Sequence, residues 1–115
     1  MKLEDTPWKN PLVEHPLYLV FEDKYPVTKG HLLFVPKVDD AHHVKECYSA
    51  AFDWGLDLFQ KGYCDGFNIG QNVGISAGQT VMYPHIHMIP RRTGDMEDPT
   101  GGVRHVIPEK GNYKR

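Results

Sequence analysis

Residues Tyr83-Pro84-His85-Ile86-His87-Met88-Ile89-Pro90 alternate in character along a β-prone run. Successive side chains of a strand point to opposite faces. Tyr83, His85, His87 and Ile89 therefore share one face, and Pro84, Ile86 and Met88 share the other, which reads as a core face. The chain must then build a sheet that packs on one side. Its other side carries two imidazoles roughly 7 Å apart. Pro84 has no N–H, so this stretch is not fully laddered on both sides. The seven histidines of this 115-residue chain are an excess, and this strand holds two of them.

The other elements follow from periodicity and punctuation. Segment 1–16 contains Pro7, Pro11 and Pro16 and is expected to be irregular. Leu17–Phe21 reads as a strand, ended by Asp23 and Pro26. His31–Val35 reads as a second, closed by Pro36, and the spacing predicts a hairpin. Between Val38 and Gly62 the residues Val44, Cys47, Tyr48, Ala51, Trp54, Leu58 and Phe59 recur at helical spacing. Asp39 or Asp40 can cap that helix, and Gly55 weakens its middle by about 1 kcal/mol relative to Ala. Gly66–Gly70 is a third strand, and Val81–Pro90 a fourth. Residues 92–115 form a Gly- and Pro-rich arm in which Val103–Ile107 is the best strand candidate. One main helix among several strands predicts a single α+β domain over 1–115 with an antiparallel sheet.

Charge and composition exclude several classes. Thirteen basic and fifteen acidic residues give a net charge of −2, which offers no footprint for nucleic acid or an anionic membrane. No apolar run approaches the ~20 residues of a membrane span. Met1–Asn10 is polar and does not read as a signal peptide. Cys47 and Cys64 form no CxxC, and reduced thiols in a cytoplasmic protein are expected.

Paired histidines on a strand have three uses: metal ligands, acid–base groups, or a nucleophile. A metal would need a third ligand, which His31 on a neighbouring strand could supply. A nucleophile would need an anion cradle. Gly74, Gly78, Gln79 and Thr80 directly precede the histidine strand, and such a loop can turn several backbone N–H groups toward one phosphate. Gln79 and Thr80 add side-chain donors.

The run Gly78-Gln79-Thr80-Val81-Met82-Tyr83-Pro84-His85-Ile86-His87-Met88-Ile89-Pro90-Arg91 resembles the signature of the histidine triad (HIT) family. That signature is Gln-Thr/Ser-Val followed by His-φ-His-φ-His-φ-φ-Pro. A second block, Asp23 and then Pro26-Val27-Thr28-Lys29-Gly30-His31-Leu32-Leu33-Phe34-Val35-Pro36-Lys37, resembles the family's PVTPGHxLVIPK. The blocks lie about fifty residues apart with a helix between them, as in the family. The departure is Tyr83, which stands where the family has its first histidine.

The resemblance implies a homodimer with a sheet continuous across it. It implies a nucleotide substrate, with a purine base, and hydrolysis at the α-phosphate of dinucleoside polyphosphates, nucleoside phosphoramidates or related conjugates. His85 matches the nucleophile that forms a nucleotidyl intermediate, and His87 the histidine that contacts phosphate or leaving group. His31 matches a supporting histidine behind them. Asn72, Gln79 and Thr80 match phosphate-side donors, Asp23 the ribose acceptor, and Phe21 and Leu33 the residues that sandwich the base. No metal is expected in the site, although Mg²⁺ can arrive with the substrate. With Tyr83 in the first position, a nucleotide-binding protein without catalysis is the alternative expectation.

Overall fold

The computed structural model describes residues 1–114, so Arg115, the end of the arm, lies outside the described residues. Five strands form one sheet in the order β1-β2-β3-β5-β4, every pairing antiparallel. β2 (Tyr18–Glu22) and β3 (Leu32–Pro36) make the expected hairpin, in register from Tyr18↔Pro36 to Glu22↔Leu32. β1 (Val13–Glu14) adds two residues to the outer edge of β2. β5 (Ile86–Arg91) inserts between β3 and β4 (Gly66–Gly70).

α1 (Ala41–Gln60) starts at Asp40, not Asp39: the Asp40 Oδ1 accepts the His43 N–H at 2.8 Å. This satisfies one of the donors that every helix start leaves open. The helix lies across one face of the sheet. Cys47 and Ala51 meet Val20, Leu32, Phe34, Ile86 and Met88 there, all buried. Strand alternation sends the neighbouring residues Phe21, Leu33 and Val35 to the other face. They form a second, smaller cluster with Tyr83, and Leu3 and Trp8 cover it. Segment 1–16 thus carries more order than its prolines suggest. Leu3–Asp5 is a 3-10 turn, and Thr6 Oγ1 donates to the Leu3 carbonyl at 2.7 Å.

Two expected strands differ. β5 begins at Ile86 rather than Val81. Pro84 cannot donate to a ladder, and the Tyr83 carbonyl accepts from the His85 ring. Val103–Ile107 is not a strand: Gly102–Val106 is a 3-10 turn that leads into a short helix, α2 (Pro108–Gly111). Gly101 and Gly102 have φ of 100° and 47°, a left-handed bend that turns the chain away from extended structure.

Gly55 also proves to have a reason. A Cβ there would stand 2.5 Å from the Phe67 ring of β4. The gain in helix propensity from Gly55→Ala, about 1 kcal/mol, is therefore outweighed by overpacking worth about 1–3 kcal/mol. The variant is expected to unfold at lower urea concentration than the wild type. A higher midpoint would mean that Phe67 moves aside freely.

Candidate active site

A cavity of about 350 Å³ opens on the sheet face opposite α1. Asp23, Leu33, Asn72, Thr80, His85 and His87 all line it. These residues come from the β2–β3 turn, β3, the glycine-rich loop and the approach to β5, so the fold gathers them from across the chain.

His85 is buried, and its Nδ1 donates to the Tyr83 carbonyl at 2.8 Å. A carbonyl only accepts, so this bond places the ring proton on Nδ1. Nε2 then carries a lone pair. Tyr83 itself does not enter the cavity. Its phenol is buried beside Phe21, Leu33 and Val35 and donates to the Pro36 carbonyl at 2.7 Å. Burial raises the phenol's pKa, with smaller contributions from Asp39, Cys47 and Asp40, so it stays neutral.

His87 is held differently. The Val27 N–H donates to His31 Nδ1 at 3.1 Å. His31 must therefore hold its proton on Nε2, which lies 2.9 Å from His87 Nδ1. His87 Nδ1 accepts, and the proton of His87 sits on Nε2. Asp23 Oδ2 lies 3.4 Å from His31 Nε2 and 4.0 Å from His87 Nδ1. Burial lowers the His31 pKa, and Asp23 opposes that shift. Burial likewise lowers His87 to about 4, helped by its neighbours His31 and His85 and opposed by Asp23.

The loop before β5 folds around a 3-10 turn, Ile75–Ala77, flanked by Gly74 and Gly78, both at φ 91°. Gln79 ties this loop together. Its Oε1 accepts the Gly74 N–H at 2.9 Å and its Nε2 donates to the Val81 carbonyl at 3.0 Å. Gln79 thus shapes the loop, while Thr80, Gly78 and Asn72 face the cavity. Phe21 also departs from expectation. It is buried behind Trp8, with ring centroids 6.3 Å apart, and leaves Leu33 alone of that pair on the cavity wall.

Sequence reasoning did not single out Trp8. The indole lies 4.7 Å from the His85 ring and lines the cavity beside Pro7. Lys24 and Tyr25 line it too. No periodicity places an N-terminal tryptophan over a strand some eighty residues later. Asp23 Oδ1 accepts the Tyr25 N–H at 2.8 Å, which fixes that carboxylate at the rim.

Asp23, His31 and His87 offer one ligand atom each within 4.8 Å of one another, and these distances approach the roughly 3.3–3.5 Å edges of a tetrahedral zinc site. The hydrogen bonds, however, are not those of a ligand set. A neutral His31 that ligates through Nε2 must carry its proton on Nδ1, where it would oppose the Val27 N–H.

The model of the HIT domain family matches residues 8–94, and the chain belongs to that family. It is 35% identical over 98 residues to an uncharacterized HIT-like protein of Methanocaldococcus jannaschii, covering 73% of this chain and 76% of that one. It is 34% identical over 95 residues to a Mycobacterium tuberculosis protein named AP-4-A phosphorylase, covering 74% of this chain and 48% of that one. A Saccharomyces cerevisiae protein named adenosine 5′-monophosphoramidase is 33% identical over 84 residues, covering 70% of this chain and 53% of that one. The chain thus spans about half the length of these two relatives, whose names carry an activity. Among solved structures, a Zn-bound histidine triad family protein from Mycobacterium smegmatis superposes with a TM-score of 0.69 at 29% identity, covering 76% of this chain and 69% of that one. No helix among the described residues is long and apolar enough to cross a membrane.

The neutral His87 makes a prediction about acid. In the unfolded chain its pKa is near 6.5, and in the folded chain about 4. As pH falls the unfolded chain binds that proton first. The stability is therefore complete above about pH 6.5 and is lost as pH falls toward 4. The side chain keeps 22% of its surface exposed. Allowing for solvent there, the loss is on the order of 1–2 kcal/mol. Urea midpoints at pH 7 and pH 5 should differ accordingly, and by less in His87→Gln. Equal slopes in both proteins would place the acid-labile group elsewhere.

Proposed function

We propose that this protein is a nucleotide-binding hydrolase that acts at the α-phosphate through a nucleotidyl-His85 intermediate. The observation that supports it most is the His85 ring: Nδ1 is committed to a backbone carbonyl and Nε2 is left as a lone pair beside the loop of Gly78, Thr80 and Asn72. A phosphate held by that loop sits in reach of the lone pair. Asn72, Thr80, loop N–H groups and His87 supply donors to the charge that develops on phosphorus. Asp23 accepts from the ribose, and the base lies between Leu33 and Trp8, a slot suited to a purine. Dinucleoside polyphosphates, nucleoside phosphoramidates and related conjugates are the candidate substrates, in keeping with relatives named AP-4-A phosphorylase and adenosine 5′-monophosphoramidase. No metal is required in the site, and Mg²⁺ enters with the substrate where the substrate carries it.

Tyr83 replaces the first histidine of the family's triad without removing a group from the cavity, because its phenol faces the core. This favours an active enzyme over a binder that has lost its chemistry. The two buried, unpaired cysteines suit a cytoplasmic setting. The test is to incubate the protein with diadenosine tetraphosphate, diadenosine triphosphate and adenosine phosphoramidate and to measure AMP by mass spectrometry. AMP release is expected, and its loss in His85→Asn with nucleotide binding retained. Binding without AMP in the wild type would establish the non-catalytic alternative.

The same proposal includes a homodimer whose sheet continues across β4. That strand closes the sheet and, among the described residues, pairs only with β5. Beside it Phe52 of α1, 50% exposed, rests on Phe67. Light scattering is expected to give a dimer mass, and Phe52→Lys a monomer. A monomeric wild type at micromolar concentration would rule the dimer out.

A further inference from the structure

We propose that Trp8 is a catalytic residue: its indole is the partner of the positive charge that the His85 ring carries while phosphorus is bonded to Nε2. This rests on the reading of His85 as the nucleophile, and it adds a group that lies outside both sequence motifs.

Bond making at Nε2 changes the charge of the ring. His85 Nε2 gives its lone pair to phosphorus. The bond from phosphorus to the leaving atom breaks, and its electron pair departs with the leaving group. The ring keeps its proton on Nδ1, held by the Tyr83 carbonyl at 2.8 Å, so it becomes a cation. Water later forms a bond to phosphorus and gives a proton to solvent. The electron pair of the broken N–P bond returns to the ring, which is neutral again. The charge therefore exists only between attack and hydrolysis and in the transition states that border them. A group that attracts a cation, and is indifferent to a neutral imidazole, speeds the reaction without stabilising the resting state.

The surroundings of His85 narrow down that group. The ring is buried, so water screens its charge poorly. Its Nδ1 proton goes to a neutral carbonyl. Asp23, the carboxylate on the cavity wall, pairs with His31 and His87 rather than with His85. The indole of Trp8 lies 4.7 Å from the His85 ring, centre to centre, with the planes tilted by 54°. An aromatic ring attracts a cation out to about 6 Å from its centre, and indole does so most strongly of the side chains.

The indole is also fixed in advance. Ahead of it, the buried Thr6 donates from Oγ1 to the Leu3 carbonyl and closes a turn. Beyond it, Asn10 takes φ 59°, a left-handed conformation that asparagine tolerates. The Leu12 N–H then donates to the Val20 carbonyl at 2.7 Å and returns the chain to β2. The Phe21 ring, 6.3 Å away, backs the indole. The segment is thus anchored on both sides of Trp8. A group placed before the charge appears needs no reorganisation when it does.

Trp8 also borders the slot given to the base, so the decisive probe carries no base. Inorganic phosphoramidate transfers its phosphoryl group to an imidazole. The P–N electron pair leaves with a nitrogen that already holds its protons, as ammonia. Mass spectrometry follows the phosphoryl group on His85, with the exposed His42 as an internal control. The proteins compared are the wild type, Trp8→Leu, and chains whose Trp8 indole carries one, two or three fluorines. Fluorine withdraws electron density from the face of the ring and scarcely changes its size. The rate at His85 is expected to fall with each fluorine, and to be lower in Trp8→Leu by roughly 2- to 30-fold. The rate at His42 is expected to stay constant. A rate at His85 that is flat across the fluorinated series, with AMP release from diadenosine tetraphosphate intact, would make Trp8 a packing residue. That result overturns the inference and leaves the hydrolase reading in place. The fluorinated series is nearly isosteric, so it decides the matter even if Trp8→Leu folds poorly. No phosphoryl group on His85 together with no AMP release would remove the hydrolase reading, and this inference with it.

Discussion

β5 pairs with β3 through Leu32↔Met88, Leu33↔His87 and Phe34↔Ile86, and with β4 from Gly66↔Arg91 to Gly70↔His87. The register is fixed by what it buries. A slip of one residue would send His87 into the helix-covered core and bring Ile86 and Met88, both fully buried, out to the cavity. Burying an imidazole there without a partner, while exposing two large apolar side chains, costs several kcal/mol. The same apolar contacts that hold α1 to the sheet therefore hold His87 on the opposite face. Stability of the core and placement of the site are one constraint at β5.

A second constraint acts just before that strand. Pro84 ends the ladder, and the two residues around it face different ways: Tyr83 into the smaller cluster, His85 beneath Trp8. Thr28 and Pro90 brace the other end, where Thr28 Oγ1 donates to the Pro90 carbonyl. That contact anchors the β2–β3 turn to β5 and so sets Val27 and His31 against His87. The site is assembled where two apolar clusters, one on each sheet face, pin the chain from both sides.

Much of this was legible in the residues themselves. The alternation Ile86-His87-Met88 and the helical spacing from Val44 to Phe59 are properties of single elements, and they report which face is buried. The hairpin and β4 were legible for the same reason. What the sequence could not carry were contacts made across it. Trp8 reaches His85 only because Leu3 and Thr6 fold the first residues against the second cluster. Gln79 reads as a phosphate donor by type, yet both ends of its amide are taken by its own loop. Phe21 reads as a base platform, but the covering indole leaves it no open face. The tail misled for a local reason: Val103–Ile107 is β-prone, while the two glycines before it set the backbone direction.

The two histidines of the site owe their roles to main-chain groups rather than to each other. The Tyr83 carbonyl puts the His85 proton on Nδ1 and frees Nε2, and the Val27 N–H puts the His31 proton on Nε2 and so fixes His87. Backbone donors and acceptors do not titrate, so the ring nitrogen that each one engages is fixed while the fold stands. This separates the tautomers from the identity of the side chain at position 83. That side chain has only to fill space beside Phe21, Leu33 and Val35 and to satisfy the Pro36 carbonyl, and a phenol does both. A buried carbonyl left without its donor would cost about 1–3 kcal/mol. Position 83 is thus constrained by packing and hydrogen bonding on the core side and contributes to the site only through its backbone oxygen. The His85 tautomer can persist with a tyrosine there because the atom it depends on is common to every residue.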